Sequence, residues 1–322
     1  MTTHELESLF AGAVAALGDP PRLVGAQAGV AARFELFNAP NSICSQKVRA
    51  VLAHHEMPYL SHPMNLFTGQ TYLPEYVRMR MLGCDALGGP LMTVHSGSTS
   101  VSHGGCDPAV VPTLVDWQTR QVLVDSKRIC LYLDALVEVS VRMRPVYLSD
   151  RIDAQLEVID NLPNYQMLSG KPPGTDTRPA SQHGKNGVDF AMGKVARCDH
   201  YLTQYGNDVT LVRAYTAKRS KESTAAAALF TEEAMRAAYD KADSACAQLE
   251  VLLASGTTRW MFDDRFTMAD LYWAIELLRM QNMGAQGLWI DGRRPAIAAF
   301  AHRATAIPAV RAAILDWPGA AF

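Results

Sequence analysis

The sequence predicts an α/β domain followed by an all-α domain. Three observations carry this expectation. Between residues 31 and 137, short β-rich runs and helical stretches alternate in the order strand, helix, strand, loop, strand, strand, helix. From about residue 148 to 322 the segments are rich in helix formers, with few β-branched runs. The length of 322 residues suits two domains, each with a core of its own.

Residues 1–30 read as an N-terminal extension. Leu6, Leu9, Phe10, Val14 and Leu17 can share one face of a short helix, which Gly18-Asp19-Pro20-Pro21 stops. Such a helix would pack on the outside of the fold or form a loose tail. The first strand is Arg33 to Phe37, alternating in polarity, and Asn38-Ala39-Pro40-Asn41 is a turn. Ser42 can cap a helix running to Met57, with Val48, Val51 and Leu52 on one face. Pro58 to Leu66 gives a second strand. Residues 66–108 then read as an irregular loop insertion, a disordered stretch or surface decoration ahead of a lid. Val110 to Val115 and Gln121 to Val124 form a hairpin around a turn at Asp116 to Arg120. Asp125-Ser126 caps the helix Lys127 to Leu136, with Ile129, Leu133 and Leu136 on one face. This is the element order of a thioredoxin-like domain.

In the helical half, Glu222 to Leu229, Glu232 to Leu253 and Ala269 to Met283 read as helices, and Pro295 to Ile307 as a short one. The stretch from Leu162 to Asn186 is rich in Pro, Gly and polar residues and reads as a large loop. Thr267 with Asp270 three positions on makes a capping box, with Asp in the place usual for Glu.

Composition narrows the function. A net charge of −2 provides no basic footprint for nucleic acid. No apolar run approaches the roughly 20 residues needed to span a bilayer. The N-terminus carries Glu5 and Glu7 and lacks the basic region of a secretory signal, so a cytoplasmic protein is expected. The six cysteines are scattered, with no Cys-x-x-Cys pair and no zinc-type spacing. They are expected as reduced thiols, with no metal site.

Three places carry candidate chemistry. Ser42-Ile43-Cys44-Ser45 opens a helix, where unpaired N–H groups and the helix dipole lower the pKa of a thiolate. That thiolate could be Cys44 or the sulfur of a bound thiol held by the Ser42 hydroxyl. Equally, Ser42 could be a plain cap and Cys44 a buried side chain. Val111-Pro112 stands at the start of a strand: the bond is either cis, exposing a backbone edge to a peptide-like ligand, or an ordinary edge proline. Asp125-Ser126 caps a helix and could also bind a carboxylate there.

In this order and spacing, the stretches FELFNAPNSICSQKVRAVLAHHEMPY, VVPTLVDWQTRQVLVDSKRICLYLD and DDRFTMADLYW resemble the glutathione transferase superfamily. The resemblance implies glutathione as co-substrate, an all-helical substrate domain, and a homodimer. It also implies that Ser42 or Cys44 activates the glutathione sulfur, with Ser45 and Lys47 in the same binding segment. Val111 and Pro112 would hold the cysteinyl backbone, Asp125 and Ser126 the γ-glutamyl end, and Thr267 with Asp270 would nucleate the helical domain. The segments SICSQKVR, DPAVVPTLVD, ADLYWA and DWPG look most similar to a zeta-like branch, the glutathione-dependent reductive dehalogenases of chlorinated hydroquinones.

Reductive dehalogenation consumes two glutathiones and gives Cys44 an obligatory use, in resolving a glutathionyl conjugate through a mixed disulfide. A β-etherase of aromatic ethers, a general transferase acting on aromatic substrates or a maleylacetoacetate-type cis–trans isomerase would need only Ser42. A non-catalytic ligand-binding protein of the same fold would need neither. Tyr165, His183, Tyr201 and Tyr205 could face a small aromatic substrate, Tyr165 foremost because it follows the first long helix of the second domain.

Overall fold

The computed structural model describes residues 3–25, 32–99, 101, 104–170, 187–290 and 292–320. Helix α1 (Thr3–Leu17) buries Leu6, Ala13 and Leu17. Its Phe10 meets Phe37, His62 and Trp117 edge-on, so the extension packs on the sheet. Strand β1 (Arg22–Val24) follows. Next come β2 (Phe34–Asn38), α2 (Ile43–His54), β3 (Tyr59–Pro63), α3 (Pro74–Ala86), β4 (Thr113–Asp116), β5 (Gln121–Val124) and α4 (Ser126–Ala135). The sheet order is β1-β3-β2-β4-β5, with β2 parallel to β3 and every other pair antiparallel. This is the expected thioredoxin-like sheet, widened by β1. Three residues carry no alternation to detect; pairing with β3 makes β1 a strand.

Two expectations are corrected here. The stretch beginning at residue 66 is not a featureless insertion, because it contains α3. That helix buries Tyr76, Val77, Met79, Arg80, Met81 and Cys84, and packs against α1, β5 and later helices. A helix covered nearly all round lacks the one-sided apolar stripe that sequence periodicity detects. The cysteines are not all free thiols: Cys84 of α3 and Cys106 form a disulfide with Cα atoms 5.7 Å apart. Scattered spacing hid the pair, since the fold alone brings residues 22 apart into contact.

The helical half comprises α5 (Ser149–Asp160), α6 (Asn164–Ser169), α7 (Gly187–Gln204), α8 (Val209–Ala228), α9 (Glu232–Ser255), α10 (Met268–Asn282) and α11 (Pro295–Thr305). The helix expected over Glu222 to Leu229 is the end of the longer α8. Of the expected loop after Leu162, residues 164–169 form α6; residues 171–186, His183 among them, lie outside the described residues. The capping box forms: the Thr267 N–H and hydroxyl donate to Asp270 Oδ2 at 2.8 and 2.5 Å, and the Met261 N–H donates to Asp270 Oδ1 at 2.9 Å. One apolar core runs from β2, α2 and α4 through α5 to α10 and α11.

Two buried cations of α2 join the halves. Lys47 Nζ meets Asp160 of α5 at 2.7 Å and lies over the Tyr272 ring of α10. Arg49 donates to Asn38 Oδ1, to the carbonyls of Ala39 and Pro40, and to the carbonyl of Ala313 near the C-terminus. Removing one partner of a buried ion pair leaves the other charge in low dielectric. Asp160→Ala is therefore expected to lower the unfolding free energy by about 3–5 kcal/mol in urea titrations. The double variant Lys47→Met/Asp160→Leu should recover most of that loss.

Candidate active site

The two halves enclose a cavity of about 260 Å³ with two chemically different ends. At the first end α2 starts. Ser42 caps it from an extended conformation (φ −83°, ψ 120°), its hydroxyl oxygen accepting from the Ser45 N–H at 3.3 Å. The hydroxyl proton remains to donate into the cavity. Ser42 and Cys44 both line the wall, each half-buried. Ser45 and Lys47 do not line it. Ser45 Oγ is fully buried and accepts from the Ala39 N–H, and Lys47 is turned away to Asp160. Lys47 lies one turn on from Cys44 on the same side of α2, but its long chain reaches past the cavity to Asp160, while Ser45 points to the turn at Ala39.

The Val111–Pro112 bond is cis, and both residues line the cavity beside α2. Helix α3 pins this segment: Tyr76 OH donates to the Val110 carbonyl at 2.6 Å, and Arg80 donates to the carbonyls of Asp107 and Pro112 at 2.8 and 2.6 Å. Asp125, at the end of β5, takes φ 74°, a region that L side chains rarely adopt. Its Oδ1 accepts from the Arg128 N–H at 2.8 Å, capping α4. Burial pushes the Asp125 carboxyl up to about 6. Asp125 and buried Ser126 both reach the cavity.

Burial also raises the Cys44 thiol above its ordinary value. The charge of Lys47 and a hydrogen bond donated by Ser126 pull the other way. The direction is opposite to the lowering expected at a helix start, because desolvation disfavours the thiolate.

The second end is a buried charge cluster that sequence reading missed, apart from Tyr165. Asp107 Oδ2 accepts from Lys218 and Lys221, each at 2.7 Å. Glu222 Oε1 pairs with Lys218 at 2.7 Å, and Glu222 Oε2 accepts from Tyr165 OH at 2.7 Å. Lys194 of α7 donates to Tyr165 OH at 3.0 Å and lies 3.5 Å from Glu222. Tyr165 stacks on His95, with centroids 4.2 Å apart. Despite burial, the lysine charges hold the Glu222 and Asp107 carboxyls well below the usual range. Burial, then the same lysines, press His95 down to about 2. Burial presses Lys194 down to about 8. The one available signal was the spacing of Lys218, Lys221 and Glu222, which share a face of α8 with Ala214 and Ala225. Tyr201 meets Tyr205 and stacks on buried Tyr215 in a separate apolar cluster, and neither Tyr201 nor Tyr205 lines the cavity. Among the described residues, no group of three or more His, Cys, Asp or Glu side chains could hold a metal ion. No helix among them is long and apolar enough to cross a membrane.

A thioredoxin-like domain that presents a serine, a cysteine, a cis-proline edge and an acidic–serine pair to a helical domain defines a glutathione-handling class. Residues 41–136 match the family model of the glutathione S-transferase N-terminal domain. Over 302 residues the chain is 36% identical to the 2,5-dichlorohydroquinone reductive dechlorinase of Sphingobium indicum, covering 93% of this chain and 87% of that protein. The chain belongs to the glutathione S-transferase family, whose enzymes act with glutathione.

Solved structures share the fold. The β-etherase LigF from Sphingobium sp. strain SYK-6 superposes with a TM-score of 0.55 at 14% identity, over 87% of this chain and 98% of that one. The glutathione transferase URE2P6 from Phanerochaete chrysosporium, in complex with oxidized glutathione, gives 0.52 at 15%, over 88% and 94%.

The raised Cys44 thiol sets an expectation for alkylation. With Cys130, Cys198 and Cys246 buried, iodoacetamide should modify Cys44 first, as read by peptide mass mapping. The rate should rise with a midpoint above the roughly 8.5 of a free thiol. Ser126→Ala, which removes a donor to the thiolate, should move that midpoint higher still.

Proposed function

We propose that this protein is a glutathione-dependent reductive dehalogenase of a chlorinated hydroquinone. The observation that carries the reading is that a free cysteine, Cys44, opens on the same cavity as the helix-capping Ser42. The 36% identity to a reductive dechlorinase over 93% of the chain supports it.

In this reading Ser42 donates to the sulfur of the first glutathione and favours its thiolate. The cysteinyl backbone of glutathione lies along the edge at Val111 and Pro112. Its γ-glutamyl carboxylate meets the N–H groups that open α4, with Ser126, and its ammonium meets Asp125. The thiolate adds to the ring carbon and chloride leaves, giving an aryl–glutathione conjugate. The Cys44 thiolate attacks the conjugate's sulfur. The carbon–sulfur bond breaks, the ring carbon takes a proton from water, and Cys44 is left in a mixed disulfide with glutathione. A second glutathione thiolate opens that disulfide, releasing glutathione disulfide and restoring Cys44. One aryl chloride and two glutathiones thus yield the dechlorinated ring, glutathione disulfide, chloride and a proton. The same proposal includes a cytosolic two-fold homodimer, the commonest symmetric oligomer, to be checked by light scattering against the 35.2 kDa chain.

The test counts products with glutathione and 2,5-dichlorohydroquinone. Wild type should form one glutathione disulfide per chloride. Cys44→Ser should release chloride once and accumulate the aryl–glutathione conjugate. Chloride release at the full rate by Cys44→Ser, without conjugate, removes Cys44 from the mechanism. No chloride from either protein, with turnover of an aryl ether or a maleyl compound, moves the chain to etherase or isomerase chemistry.

Asp125 sets a pH dependence. Its carboxyl, raised to about 6, must lose a proton to meet an ammonium. Glutathione affinity by calorimetry should level off above about 6. It should fall by about tenfold per pH unit below that, because a proton must be displaced. Asp125→Asn keeps the cap on α4 but should flatten the profile and weaken binding at neutral pH.

A further inference from the structure

We propose that the second end of the cavity holds a ring hydroxyl of the substrate as a phenolate, with Lys194 against its oxygen and the aromatic wall of Tyr165 and Phe190 beside its ring. The inference rests on the reading of a hydroxyl-bearing aromatic substrate given above, and adds the groups that select it.

The charge balance comes first. Among the described residues, four cations line this part of the cavity (Arg80, Lys194, Lys218 and Lys221) against two carboxylates, Asp107 and Glu222. Buried charge of one sign calls for a counter-ion. The pairing is uneven. Lys218 and Lys221 contact carboxylate oxygens at 2.7 Å, whereas Lys194 is 3.5 Å from Glu222 Oε2, an oxygen that Tyr165 OH already occupies. Arg80 spends its donors on the carbonyls of Asp107 and Pro112 and on the Thr113 hydroxyl. The cation left with an incomplete set of partners is Lys194.

The walls decide which anion fits. Lys194 Nζ sits 4.1 Å from the Phe190 ring centroid and 4.3 Å from that of Tyr165. Tyr165 in turn stacks on His95, whose Nδ1 accepts from the Gly97 N–H. A small inorganic ion would make no use of this aromatic wall around Lys194; an oxygen carried on a planar ring brings apolar carbons to lie beside it. Tyr72 also lines the cavity, 3% exposed, and among the described residues its hydroxyl has no hydrogen-bond partner, so a further polar atom is available to an oxygen-bearing ligand. The charged and titratable groups facing the phenolate, besides Lys194, would be Lys218, Lys221 and Glu222 from α8, Asp107 and His95 from the segment before β4, Tyr165 from α6, Arg80 from α3 and Tyr72 from the turn before it. On binding, the phenol proton passes to solvent.

The test uses 4-nitrophenol, whose phenolate absorbs in the visible, with the full-length protein at a pH below the probe's own pKa. Wild type should bind the probe with its ionisation constant raised about tenfold or more, seen as the phenolate band. Lys194→Met should reduce that band severalfold, and Lys194→Arg should restore it. The wild type alone supplies a second check, because 4-nitroanisole, the methyl ether, should bind at least about tenfold more weakly.

A probe that stays neutral when bound, fails to bind, or binds no better than its ether overturns the inference, as does a band unchanged in folded Lys194→Met. Loss of the band on saturation with glutathione would hand the lysines to a carboxylate of that tripeptide and overturns it too. The readout needs no dechlorination. A protein that releases no chloride yet ionises the probe keeps this subsite and loses the dehalogenase reading. One that dechlorinates while leaving the probe neutral does the reverse.

Discussion

The contact between Lys47 and Asp160 is the constraint on which the arrangement of the site depends. It is buried on both sides, and it fastens α2 of the thioredoxin-like half to α5 of the helical half. Arg49, two residues further along the same helix, ties α2 to the carbonyl of Ala313. With both cations committed to the interior, α2 has one rotational setting left, and in it Ser42 and Cys44 face the cavity. A buried ion pair need not add net stability, since desolvation opposes its Coulombic gain. What it does here is select a register: a slip of α2 would bury a charge without its partner.

The two ends of the cavity use burial in different ways. At the α2 end, desolvation raises the Cys44 thiol and the Asp125 carboxyl, so each group carries a proton further up the pH scale than it would in water. At the α8 end, closely packed opposite charges override desolvation for Asp107 and Glu222 and keep them ionised. The first environment suits groups that gain and lose protons. The second is a fixed positive field around aromatic walls. Helix α3 serves both, through Tyr76 and Arg80 holding the strand that carries the cis-proline and through its disulfide at Cys84.

Elements with one exposed and one buried face were legible beforehand. Helix α4 shows its apolar stripe at Ile129 and Leu133, and the capping box at Thr267 and Asp270 marks its helix start; β2, buried nearly throughout, was legible from its β-rich composition and the single polar Glu35. Helix α3 was not legible, because burial on nearly every side erases the period. The end of the cavity at Ser42, Cys44, Pro112 and Asp125 could be read because helix starts and prolines are local signals. The lysine cluster could not. Lys194, Lys218 and Lys221 look like a solvated helix face, and nothing local says that Asp107 and Glu222 meet them. Ser45 and Lys47 were read as part of the binding segment that the resemblance implies, yet Ser45 is taken up by the Ala39 N–H and Lys47 by Asp160.

The sequence by itself determined the thioredoxin-like order of elements, the helical second half, and the serine and cysteine at the start of α2, since each rests on short-range periodicity, capping and turn chemistry. The tertiary structure alone decided which charges are buried together, that Cys84 pairs with Cys106, and that Lys194 is left with incomplete partners beside Tyr165. Those facts depend on contacts between residues tens of positions apart, and the desolvation that gives them their energy exists only once the two halves have closed around the cavity.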